Sequence, residues 1–217
     1  MFNTYIIAAI VAASIPVQAS AQSVPAYDWS GFYGGVYTTA FAEGHSTHNN
    51  LSTGNTTGEF DLDGRMTGIA LGFNKQQGQL VFGGEVDAGF GSIEGSTEVI
   101  CSLGGCVTDV RSVFTARGRV GYAYGPFLPY LTAGLALANV EVDINNGLGE
   151  GDENLLGYAI GLGSEYAVTD RFTLKADLIY TDFKDFEVEV DAGGGSTVTD
   201  EIETDVMMLR VGANFHF

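Results

Sequence analysis

The chain has 217 residues, 27 acidic against 9 basic side chains, a formal net charge of −18 and a slightly positive mean hydropathy of +0.14. That balance excludes a nucleic-acid partner, because phosphate binding takes clustered Lys and Arg. With 31 glycines, 12% aromatics and 4 prolines, and with no apolar run past the N-terminus reaching the ~18 residues of a spanning helix, the composition suits many tightly packed strands.

In chain order, the apolar stretch from Tyr5 to Val17 and the small-x-small site at Ala19-Ser20-Ala21 read as an export signal over residues 1–21. The usual basic start is missing, so the terminal amine is its only positive charge. The mature domain is then 22–217, beginning at Gln22.

A first strand, Trp29 to Ala42, sets Phe32, Gly34, Val36, Thr38 and Ala40 against Tyr33, Gly35, Tyr37 and Thr39. The polar stretch Glu43 to Glu59 reads as a long loop. Strand two, near Phe60 to Asn74, places Ile69, Leu71 and Phe73 opposite Gly68, Ala70 and Gly72. After a short turn, strand three, Leu80 to Phe90, places Phe82, Val86, Ala88 and Phe90 opposite Val81, Gly83, Glu85, Asp87 and Gly89. A second long loop carries Cys101 and Cys106. Two nearby thiols in an exported chain, with no neighbouring His or further Cys, point to a small loop disulfide rather than a metal site.

Strand four, Asp109 to Tyr122, pairs Val110, Phe114, Ala116, Val120 and Tyr122 with Arg111, Thr115, Arg117, Arg119 and Gly121. Gly125-Pro126 turns the chain into strand five, Leu128 to Val142, with Leu131, Ala133, Leu135 and Leu137 against Tyr130, Thr132, Gly134, Ala136 and Ala138. The acidic segment Asp143 to Glu153 reads as a third loop. Strand six, Asn154 to Val168, opposes Leu156, Tyr158, Ile160, Leu162 and Tyr166 to Gly157, Ala159, Gly161, Gly163 and Glu165. Strand seven, Phe172 to Phe183, opposes Leu174, Ala176, Leu178 and Tyr180 to Lys175, Asp177, Ile179 and Thr181. A fourth acidic segment, Lys184 to Thr204, precedes the last strand, where Met207, Leu209, Val211, Ala213, Phe215 and Phe217 alternate with Met208, Arg210, Gly212, Asn214 and His216.

Every strand thus has one greasy face and one carrying glycine together with charge. That combination is odd on a wetted surface and natural inside a narrow barrel with hydrocarbon outside. The pattern predicts an all-β, eight-stranded antiparallel transmembrane β-barrel with four long extracellular loops and three short periplasmic turns. Glu85, Asp87, Arg111, Arg117, Arg119, Glu165, Lys175, Asp177 and Arg210 fall on the inward parity and are expected to form an interior charge network, since a lone charge there costs several kcal/mol. Trp29 and the aromatics near the short turns are expected to form a lipid-facing girdle.

Trp29-Ser-Gly-Phe-Tyr-Gly-Gly-Val36, Gly72-Phe-Asn74 with Val81-Phe-Gly-Gly-Glu-Val-Asp87, Ala116-Arg-Gly-Arg-Val-Gly-Tyr122, Leu128-Pro-Tyr-Leu-Thr-Ala-Gly-Leu135 and Val211-Gly-Ala-Asn-Phe-His-Phe217 resemble the small outer-membrane β-barrel proteins of Gram-negative bacteria, the porin-family or opacity-type surface antigens. The resemblance covers essentially all of the mature chain. It implies a monomer in the cell outer membrane, inserted by the outer-membrane assembly machinery, which in that family reads a final strand ending in Phe, here Phe217 with Phe215 before it. Outer-membrane lipid and lipopolysaccharide are the expected surroundings, with the acidic segments projecting beyond the headgroups or sharing divalent cations with them. The loops show no match from which a ligand follows.

No nucleotide or other cofactor fingerprint is present. His45-x-x-His48 with Glu43 has no third fixed metal ligand and reads as solvated histidine, and Glu150, Asp152, Glu153, Asp185, Glu187, Glu189 and Asp191 read as solvated charge with at most diffuse divalent binding. The functional expectation is a non-enzymatic barrel serving envelope integrity and surface interaction through its loops. A narrow porin-like channel is the alternative, and an outer-membrane enzyme ranks below both.

Overall fold

The computed structural model describes residues 27–50, 55–56, 58–97, 106–144, 149–191 and 197–217. The export signal and Cys101 lie outside the described residues, and of Cys106 only the backbone is described. Eight long strands, β1 (Gly31–Asn50), β3 (Phe60–Gln77), β4 (Leu80–Thr97), β5 (Cys106–Tyr122), β6 (Phe127–Ile144), β7 (Gly149–Ala167), β8 (Phe172–Asp191) and β9 (Thr197–His216), pair antiparallel in sequence order. A two-residue β2 (Asn55–Thr56) folds back on the end of β1. Pairing of β1 with β9, from Tyr33↔His216 to Asn50↔Asp200, closes the sheet. Closure leaves no edge, so the ladder satisfies the backbone even in hydrocarbon.

Gly78 and Gly125 supply positive φ (63° and 61°) at two of the short turns. At the same end, the Phe217 N–H donates to the Phe32 carbonyl (3.0 Å) and the His216 N–H to the Arg171 carbonyl (2.8 Å). Both ends of the barrel chain therefore sit with the short turns.

The strands run further than the polarity pattern indicated. The segments read as loops at 43–59, 143–153 and 184–204 are largely strand: β1 continues to Asn50, β7 begins at Gly149, and β8 and β9 are paired out to Asp191↔Thr197. Beyond the hydrocarbon an outward face meets water, so charge there is compatible with sheet, and polarity alone does not end a strand.

Bulges mark the change of level. Register slips between Thr39 and Phe41, Phe90 and Ile93, Val110 and Ser112, and Phe183 and Phe186 interrupt the alternation. The slip in β5 corrects two expectations. Ser112 and Val113 are both buried in succession, so Val110, expected outside, is fully buried, and Arg111, expected in the interior network, points outward. Its side chain is 55% exposed and bridges Asp109 (2.8 Å) and Glu141 (2.7 Å) on the outer wall.

Trp29 is a third correction. It is fully buried rather than part of the outer girdle: its Nε1 donates to the Gly125 carbonyl (3.2 Å) and its backbone N–H to Gln76 Oε1 (2.9 Å). Facing hydrocarbon the indole N–H would have no acceptor, whereas folded over the barrel mouth it finds one. Phe32, Phe73, Phe82, Tyr122, Phe127, Tyr166, Phe172 and Phe217 remain exposed on the outside. On β7 the greasy outward row runs from Leu156 to Tyr166, within the ~9–11 residues that a spanning strand needs.

Glycine on the inner wall makes room for tyrosine. A Cβ at Gly72 would lie 2.2 Å from the Tyr33 ring and one at Gly163 2.7 Å from the Tyr130 ring, whereas at Gly118, on the outer wall, the nearest atom is 3.9 Å away. Gly72→Leu is therefore expected to lower the temperature at which the barrel loses its compact mobility on a gel, and Gly118→Ala to leave it unchanged. Equal behaviour of the two variants would contradict the inward assignment of Gly72.

Candidate functional site

Three layers of side chains fill the lumen. At the short-turn end Trp29, Val81, Ala123, Leu128, Tyr130 and Ala167 pack together with Tyr27 over them. At the far end Leu62, Met66, Ile93, Val110, Phe183 and Val206, all at most 2% exposed, form a larger apolar cluster. Between them lies the charge.

The middle layer brings together Glu85, Asp87, Glu165 and Asp177 with Arg117, Arg119, Lys175 and Arg210, every one of them buried. The formal charges cancel. Register places some partners side by side: Glu85↔Arg117, Glu165↔Lys175 and Asp177↔Arg210 are cross-strand neighbours. Arg117 Nη2 donates to Glu85 Oε1 (2.8 Å) and Asp87 Oδ2 (2.6 Å), and Arg210 Nε to Asp177 Oδ1 (2.6 Å). Other bonds join strands that are not neighbours. Lys175 Nζ reaches Glu85 at 2.9 Å and Arg210 Nη1 reaches Asp87 at 3.1 Å, tying β8 and β9 to β4 across the lumen, and Arg119 Nη1 reaches Glu165 at 3.1 Å, past β6.

Neutral groups, which the sequence pattern placed inward without assigning them a task, complete the carboxylates' bonding. Tyr33 donates to Glu85 (2.9 Å), Tyr37 to Asp87 (3.0 Å), Tyr130 to Asp177 (3.1 Å) and Thr115 to Asp87 (2.6 Å). Asn214 Nδ2 donates to Glu165 (2.8 Å), Thr173 also bonds to Glu165, and His216 Nε2 lies 3.4 Å from it. Arg119 lies over the Tyr33 ring (4.7 Å) and Arg210 over the Tyr37 ring (4.5 Å). Inward parity combined with a long polar tip was the available signal for these residues.

Outside the spanning strands, Tyr27 donates to the Asp170 carbonyl at 3.4 Å; burial first, and then the Glu165 and Asp170 carboxylates, push its hydroxyl up to about 12. The Asp28 carboxyl is held below its usual value, chiefly by the Ser30 backbone N–H at 2.9 Å. His45 lies on the outer wall near Asp205 (3.5 Å) and Asp61 (3.7 Å), and the side chain of His48 is outside the described residues. Among the described residues no group of His, Cys, Asp or Glu is arranged to hold a metal ion. The side chains of Glu150, Asp152, Glu153, Asp185, Glu187, Glu189 and Asp191 are also outside the described set. Phe215 and Phe217 stand at the short-turn rim, with ring centres 5.3 Å apart.

Residues 6–217 match the outer membrane protein β-barrel domain. The chain belongs to this family of outer-membrane β-barrels. It is 31% identical over 204 residues to the 25 kDa outer-membrane immunogenic protein of Brucella abortus, covering 93% of this chain and 85% of that one. To the 22 kDa outer membrane protein of Rhizobium leguminosarum it is 32% identical over 191 residues, covering 88% and 80%. In fold it is similar to the outer membrane protein OprG of Pseudomonas aeruginosa, with a TM-score of 0.53 at 15% identity over 87% of this chain and 98% of that one. Within its apolar band this outer-membrane barrel thus carries ionised groups in its interior and large apolar side chains toward lipid.

Arg117→Leu leaves Glu85 and Asp87 buried without their shared cation, a loss of about 3–5 kcal/mol for broken buried pairs. The variant is expected to unfold at lower temperature or urea concentration than wild type in detergent or vesicles. An unchanged midpoint would show that the network does not hold the barrel.

Proposed function

We propose that this barrel is a non-catalytic wall component of the outer membrane that supports envelope integrity and offers its extracellular hairpins for surface interaction. The observation that carries the reading is the filled lumen: two apolar layers enclose a charge layer whose formal charges cancel. An eight-stranded barrel is just wide enough to be filled by its own side chains, and here large ones occupy it at three levels. A conducting pore needs hydrated, mobile groups instead.

Strand pairing beyond the greasy band supports the surface role, because it projects a stiff, charged collar above the membrane. The Brucella relative is named as immunogenic, in keeping with a collar of this kind being accessible from outside. We assign lipopolysaccharide and outer-membrane lipid as its surroundings, a monomer as its working form, and Phe215 and Phe217 as the end that the assembly machinery reads.

Reconstituted in a planar bilayer, the wild-type protein is expected to give no steady single-channel steps. Cells lacking it are expected to become more sensitive to detergent, with resistance restored by a copy whose hairpins are trimmed. Steady conductance abolished by charge swaps at Glu85 or Arg210 would replace this reading with a channel, and unaltered detergent resistance would remove the integrity role.

A further inference from the structure

Ahead of β1, residues Tyr27 to Ser30 pair with no strand and lie across the short-turn mouth of the barrel. Their bonds reach all three short turns. At the first, the Trp29 backbone N–H donates to Gln76 Oε1 (2.9 Å) and the Gln76 N–H donates to Ser30 Oγ (3.1 Å); at the second, Trp29 Nε1 donates to the Gly125 carbonyl (3.2 Å); at the third, Tyr27 donates to the Asp170 carbonyl (3.4 Å). Below these bonds the fully buried Trp29 ring packs with Val81, Ala123, Leu128 and Ala167. It is the stopper of this end.

What the stopper covers differs from the rest of the charge layer. Glu165, fully buried, accepts from Arg119 Nη1 (3.1 Å), Asn214 Nδ2 (2.8 Å) and Thr173, with His216 Nε2 at 3.4 Å, and Arg119 Nε donates in turn to Asn74 Oδ1 (2.8 Å). The His216 ring lies edge-on to Tyr27 and Trp29, with centroids 6.2 and 6.1 Å away. Around this node four buried atoms, Asn74 Nδ2, Arg119 Nη2, Asn214 Oδ1 and His216 Nδ1, have no hydrogen-bond partner in the protein. Among the described residues no other buried side-chain nitrogen or oxygen is left so.

Two opposed effects therefore act on residues 27–30. Closed, they keep the indole and its apolar neighbours from water; open, they give four unmatched polar atoms water to bond, which burial without a partner denies them at a cost. The segment itself hangs on a few bonds to turns, whereas every strand beside it is held by a ladder on both sides. Segments held in this way open first.

We propose that residues 27–30 are a releasable strap, which comes off the short-turn mouth while the sheet stays closed and so brings solvent to the Glu165 node. The barrel thereby has a built-in way to hydrate its charge layer from one end without unfolding. Release needs no conducting lumen, since the apolar cluster at the far end stays in place.

The test uses the mature barrel in phosphatidylcholine nanodiscs, which leave both faces accessible, and diethylpyrocarbonate, which acylates imidazoles that solvent reaches, with each histidine read by peptide mass spectrometry. His45, its side chain 45% exposed on the outer wall, is the internal standard. In wild type, His216 labelling is expected to be slow and to rise at urea concentrations where the circular dichroism of the sheet is still native. Trp29→Ala and Gln76→Ala are expected to speed it about tenfold or more with heat-dependent gel mobility unchanged. Phe183→Ala, which opens a cavity in the far apolar cluster, is expected to weaken the barrel yet leave His216 labelling in the folded state at the wild-type rate. Wild-type rates in both strap variants, a wild-type rise that appears only with loss of the sheet signal, or equal acceleration by Phe183→Ala would overturn the proposal.

Discussion

Ionised side chains can be kept from water only as a mutually compensating set, and the middle layer of this barrel is such a set. Glu85, Asp87, Glu165 and Asp177 face Arg117, Arg119, Lys175 and Arg210, and each carboxylate also accepts from neutral donors. Desolvation makes each ion expensive alone, so the layer tolerates no partial assembly. This gives the sheet a reason to close in one register. A slip of one residue on β4, β5, β7, β8 or β9 would send that strand's interior charges toward hydrocarbon and its large apolar side chains into the lumen.

The same requirement explains where the wall changes. Within the membrane band the interior is ionic and the exterior apolar; above the bulges the relation inverts, with Leu62, Ile93, Val110 and Val206 inside and Glu43, Asp61, Asp63, Glu94 and Arg111 outside. The upper part packs like a water-soluble barrel stacked on a membrane-spanning one. The bulges let single strands serve both, since each slip resets which parity points inward.

The membrane half was legible in the sequence because period-two alternation survives there unbroken. From Leu156 to Tyr166 or Leu128 to Leu137 parity alone indicates which side chains face lipid, and the inward charges outside the bulge could be named from it. What parity cannot see is an inserted residue: Arg111 sits just beyond the β5 slip, and a rule carried across that slip points it the wrong way. Trp29 was misplaced for another reason. Its burial depends on a carbonyl from Gly125, far along the chain, and no local pattern reports that. Likewise Glu85–Arg117 could be guessed as neighbours once register was assumed, but Lys175–Glu85 and Arg210–Asp87 cross the lumen and emerge only when the sheet is closed. The collar strands were hidden because their water-facing rows are as polar as loops.

The claim on which the account turns is that the buried charges are energetically coupled rather than merely enclosed, and Asp177 with Arg210 is the pair that tests it most directly, being cross-strand neighbours with a 2.6 Å bond. The measurement is a double-mutant cycle, Asp177→Asn, Arg210→Gln and both together, with unfolding free energies taken from urea titrations in lipid vesicles. The account predicts that the double variant is less destabilised than the sum of the single variants, by more than about 1 kcal/mol. Additivity within about 0.5 kcal/mol would contradict it.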